Sequence, residues 1–92
     1  MTDARGFYNL ARKLQAMGDE AYSVGDLETA KEFHTQVVER YSKRSVSLTL
    51  AYSLEQLARV EVKLYGEVAA HALWRRAIAI YGSALRQSRR AE

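Results

Sequence analysis

Side chains able to carry a reaction are scarce in this 92-residue chain, and their spacing argues against one. There are two histidines, His34 and His71, and no cysteine. Without cysteine there is no disulfide, no thiolate nucleophile and no cysteine-ligated zinc. A histidine-based metal site needs a third and a fourth ligand, and none recurs at helical spacing around either imidazole. His71 stands four residues after Glu67, a favourable pairing on a helix surface, while His34 reads as a packed, structural histidine. Asp19-Glu20 is a carboxylate pair, but neighbours on a helix point about 100° apart and do not face one another. The chain has no Gly-rich phosphate loop and no nucleophile elbow. These residues predict no enzyme, no metal and no cofactor.

The arginines are the remaining chemistry. From Val68 to the C-terminus there are five of them, Arg75, Arg76, Arg86, Arg89 and Arg90, against the single acid Glu92. Before Val68, nine basic and ten acidic residues almost cancel, so the net charge of +3 belongs to the last quarter of the chain. On a helix, Arg75, Arg86 and Arg90 fall close to one line, with Arg76 and Arg89 beside it. Ala79, Gly82 and Ser83 lie between them and leave a shallow surface that an acidic protein, or a phosphate backbone, could follow. A glycine inside a helix costs about 1 kcal/mol relative to alanine, so Gly82 points to close approach by something. The plainer reading is that cations suit the C-terminal end of a helix dipole.

Elements must exist to hold these residues, and the composition points to helices. There is no proline, only five glycines, and 48% of the residues are apolar. A chain of this length buries roughly 64% of its unfolded surface, enough for one domain with a modest core. No run reaches the roughly 18 apolar residues of a membrane span, and the first five residues lack an apolar signal core. A cytoplasmic protein away from membranes is expected.

Apolar residues at Phe7, Leu10, Ala11, Leu14, Met17 and Ala21 predict a first helix over about 3–24. Gly25 ends it, and Asp26 caps a second helix with the stripe Leu27, Ala30, Phe33, Val37 and Tyr41. The polar run Ser42 to Ser45 predicts a loop, and Ser45 or Ser47 caps a third helix reaching about Tyr65. Leu50, Leu54, Leu57 and Leu64 face inward on it. Gly66 and Glu67 then begin a fourth helix, with Ala70, Leu73, Trp74, Ala77, Tyr81 and Ala84 or Leu85 inward, fraying from Ser88. The fold class is all-α: two antiparallel helical hairpins within one domain, about 3–42 and 46–89.

The hairpins resemble each other at an offset of 40 residues: Leu14 with Leu54, Met17 with Leu57, Gly18 with Ala58, Val24 with Leu64, Ala30 with Ala70, Val38 with Ile78, and Tyr41 with Tyr81. In the first hairpin, Leu14, Met17-Gly18, Ala21-Tyr22, Gly25-Asp26-Leu27 and Ala30, continued by Phe33 and Val37, resemble a tetratricopeptide repeat. The second keeps Ala58, Ala70, Trp74 and Ala77, but has Glu61 in place of a small residue and its turn glycine one position late. Its 40-residue spacing exceeds the usual 34 or so. Two packings follow, a curved repeat stack or a four-helix bundle. The resemblance implies a protein-binding scaffold. The subtype that clamps acidic chaperone tails is excluded, because Gln15 and Asp19 stand at the clamp positions.

The third helix is apolar around more of its circumference than one buried face requires. Leu48, Tyr52, Val60, Val62 and Tyr65 are therefore candidate partner contacts. The expected function is a non-enzymatic protein–protein adaptor inside a larger assembly. Its partner is a protein with an acidic surface, or copies of itself. The alternative is a helical subunit of a nucleoprotein complex, with the same arginines on the phosphate backbone.

Overall fold

Two glycines in the left-handed region set two of the three corners. In the computed structural model, which describes residues 4–44 and 47–91, the first helix (α1) is Ala4–Ser23. Gly25 follows with φ of 83°; its N–H donates to the Tyr22 carbonyl at 3.1 Å, and the Asp26 N–H donates to the Ala21 carbonyl at 2.9 Å. This is a Schellman closure, which needs positive φ at its glycine. Asp26 then accepts the Thr29 N–H on Oδ1 at 3.3 Å and caps the second helix (α2), Leu27–Arg44.

The helix α2 continues through Ser42, Lys43 and Arg44, where a loop is expected from the sequence. No glycine or proline stops it there, and Lys43 and Arg44 in the last turn complement the dipole. Ser47 caps the third helix (α3), Leu48–Tyr65, by accepting the Leu50 N–H on Oγ at 3.3 Å. Ser45, the other candidate cap, lies outside the described residues. Gly66, with φ of 96°, is the whole joint to the fourth helix (α4), Glu67–Ala91. That helix does not stop at Ser88 but runs to Ala91, and no strand occurs among the described residues. The all-α architecture of two helical hairpins is what the periodicity predicts.

The helices pack in sequence order, α1 on α2, α2 on α3 and α3 on α4, and no comparable seam joins α1 to α4 among the described residues. The molecule measures 44 × 37 × 18 Å, too broad and thin for a square bundle with axes 8–10 Å apart. It is an open, flattened array. The main core joins Ala11 and Leu14 of α1, Val37, Val38 and Tyr41 of α2, Leu50, Ala51, Leu54 and Leu57 of α3, and Ala77 and Ile80 of α4. Phe7, Phe33, Leu73 and Tyr81 close its edges. A smaller cluster of Ala21, Ala30 and Val60 lies apart from it, flanked by Tyr22 and Leu64.

Two residues expected to point inward do not, and of the pair Ala84 or Leu85 it is Ala84 that turns toward the core. Leu10 and Met17 of α1 and Leu85 of α4 are exposed, because each end helix is covered on one side only. Ile80, outside the expected stripe, is buried.

Candidate interaction surfaces

The arginine-rich helix presents its cations outward. Arg75, Arg86 and Arg89 are exposed, and no carboxylate among the described residues pairs with them. The buried stripe Ala70, Ala77 and Ile80 turns the opposite side of α4 to the core. Arg76 is set apart from the others: its Nη2 donates to Ser42 Oγ at 3.0 Å, tying α4 to the end of α2. The side chain of Arg90 lies outside the described residues. Nothing packs over Gly82 within the described chain; a Cβ there would meet only the Arg86 guanidinium, at 3.6 Å.

The apolar candidates on α3 divide. Leu48, Tyr52 and Tyr65 are exposed and Val62 is half-buried, but Val60 is completely buried. As a surface contact, Val60 is corrected. It sits against Ala21 of α1 and Ala30 of α2, whose small side chains admit it, and α3 is covered on two sides by α2 and α4 of its own chain. Periodicity alone shows that a helix has two apolar faces without showing which neighbours cover them. Tyr65 is exposed yet engaged: Lys31 Nζ donates to its hydroxyl at 2.9 Å and lies 4.7 Å from the ring centroid. That hydrogen bond, more than the neighbouring glutamates, raises the Lys31 pKa above its ordinary value. Tyr81 donates to Glu55 Oε2 at 2.7 Å and bolts α4 to α3, which holds the phenol protonated above the usual tyrosine range.

A groove of about 490 Å³ opens where the end of α1 meets α3 and α4. Tyr22, Gln56, Arg59, Val62 and Trp74 line it, with Glu55, Lys63 and Glu67 at its rim. Arg59 stacks over the Tyr22 ring, 4.3 Å from its centroid. Trp74 is half-buried, with His71 beside it at a centroid distance of 6.0 Å. The groove went unnoticed in the sequence because its residues come from three helices, and Trp74 alone reads as core.

One buried ionisable group lies apart from these surfaces. His34 is 1% exposed, and its Nε2 is 3.3 Å from Asp19 Oδ1 in a geometry that falls short of a hydrogen bond. Burial pushes the imidazole pKa below its ordinary value, Asp19 works the other way, and Arg59 adds to the lowering. His34 is therefore a neutral core residue. His71 is exposed on α4, and no three histidine, aspartate or glutamate side chains among the described residues form a group able to hold a metal.

No helix among the described residues is long and apolar enough to cross a membrane. Compared with known proteins, the chain matches no family model, no curated protein and no solved structure.

Proposed function

We propose that this chain is a non-enzymatic helical-repeat module of the tetratricopeptide kind, an adaptor that binds an acidic protein within a larger assembly. The observation that carries this reading is the outer side of α4, where Arg75, Arg86 and Arg89 stand exposed without a carboxylate partner among the described residues. Three guanidiniums on one helix, in a chain whose remaining charges nearly cancel, make a directed positive field. Guanidiniums suit carboxylates because their planar donors bind two oxygens at once. The sequential packing of the hairpins supports the repeat character. The aromatic side chains nearest the arginines, Trp74 and Tyr81, are half-buried, and Tyr81 is committed to Glu55. Stacking of single-stranded bases needs open ring faces, so an acidic protein suits this surface better than RNA.

The test is a titration with polyglutamate, a single-stranded RNA and a duplex DNA from low to moderate salt, with an Arg75→Ala/Arg86→Ala/Arg89→Ala variant alongside. Polyglutamate binding that weakens with salt and is lost in the variant supports the reading. Equal or tighter binding of both nucleic acids, with a salt slope that the variant flattens by about three, replaces it with the nucleoprotein reading.

A further inference from the structure

The internal repeat allows the two ends of the array to be compared with its interior. Shifted by 40 residues, Leu10, Met17 and Val24 of α1 fall on Leu50, Leu57 and Leu64 of α3. In α3 the first two are 1% and 6% exposed and Leu64 is half-buried, because α2 packs on that helix. In α1 the same row is 41%, 47% and 74% exposed. The other end mirrors this. Val38 of α2 is buried, while its counterpart Ile78 of α4 is 69% exposed. Leu85, one heptad beyond Ile78, is also exposed. Each end thus displays the apolar row of the seam that α2 and α3 form inside the chain, with Lys13 and Glu20 of α1 standing where α3 has the buried Ser53 and Val60.

We propose that α4 of one copy docks on α1 of a second copy, repeating the α2–α3 seam between molecules. The occupant follows from this correspondence: the exposed row on α1 matches the row on which α3 receives α2, and α4 is the chain's other helix of the α2 kind. Direction agrees, since helices alternate along the array and an incoming α1 would run antiparallel to α4. Register follows from the internal seam, where Lys31 meets Tyr65 and Val38 shares a core with Leu57. Shifted by 40 residues on each side, this sets His71 beside Val24 and Gly25 and Ile78 on Met17, and a further heptad along each helix brings Leu85 to Leu10. Both rows keep a seven-residue step, drifting only about 20° per heptad, so the contacts stay on facing sides over the two heptads they span. Such a contact is heterologous, joining two different surfaces, and leaves a free end at each side. Copies therefore add head to tail, and we take the flattened, 44 × 37 × 18 Å array to extend as an open chain and not to close into a ring. The proposal rests on the interaction-module reading and names the partner of its apolar surfaces. Arg86 stands to the outer side of the α4 row, whereas Arg89, four residues after Leu85, falls on the row, and the register sets Arg75 opposite Glu20 of the second copy.

Sedimentation across a wide concentration range tests it. The wild-type mass is expected to climb past that of a dimer without a plateau. Met17→Glu and Ile78→Glu each spoil one end at an exposed position, so each variant keeps its helical circular dichroism and stays monomeric alone. Mixed, they retain one good end each and form a heterodimer that grows no further. A wild-type chain that remains monomeric, one that stops at a dimer, or a mixture of the two variants that does not associate would overturn the proposal. Polyglutamate binding is read on the Met17→Glu variant, which keeps every arginine of α4 and does not self-associate, so the two readings fail separately.

Discussion

The least accommodated group in the molecule is an imidazole. His34 is enclosed with both ring nitrogens lacking a hydrogen bond among the described residues, and only the half-exposed Asp19 lies close enough to favour its protonation. Burial outweighs that carboxylate, so the folded protein holds the neutral ring to lower pH than the unfolded chain does. Below the unfolded value of 6.5, the unfolded state then binds more protons than the folded one, and stability must rise with pH through that window. Urea unfolding between about pH 7 and pH 5 is expected to show a falling midpoint as acid is added. His34→Leu should flatten that fall, whatever it does to stability at neutral pH. An unchanged pH profile in the variant would assign the dependence to other groups.

The packing of the elements turns on the same ring. A Cβ added at Gly18 of α1 would sit 2.8 Å from His34 Nε2, which is closer than real side chains come. The ring is buried and cannot swing aside, so the α1–α2 seam would have to open. Gly18→Ala is expected to destabilise the protein by about 1–3 kcal/mol despite alanine's better helix propensity, measurable by chemical denaturation. Gly25 with Asp26, Gly66 and Ser47 were all legible from residue type, because steric freedom and capping act within a few residues, whereas the contact of Gly18 with His34 depends on how two helices cross. The end of α2 was not: Ser42, Lys43 and Arg44 are weak punctuation, and they stay helical where no glycine intervenes. Val60 was misplaced for a different reason. A helix with two apolar faces announces that two neighbours exist, but only the tertiary arrangement decides that both belong to the same chain. Leu10 and Met17 carry the reverse error, a good stripe whose covering helix is absent at the end of the array. Of the candidate surfaces, the arginine line followed from helical spacing, whereas the groove beside Trp74 depends on how three helices converge.

Seen whole, the molecule has contacts that link each helix to its neighbour in sequence and few that link its ends. Stability in such an array is close to one-dimensional, a sum of helix and seam terms, with no seam among the described residues that locks the first element to the last. The middle helices, α2 and α3, each have two seams, while α1 and α4 have one. Native-state hydrogen exchange should therefore be graded, with amides of α2 and α3 opening only near global unfolding and those of α1 and α4 opening at lower cost. Uniform protection across the four helices would show instead that they unfold as one unit. The same mainly sequential wiring keeps the loops that folding must close short, because every main seam can form between segments already joined by a turn. A nascent chain could then build the array one helix at a time as it emerges, with no helix waiting for a distant partner.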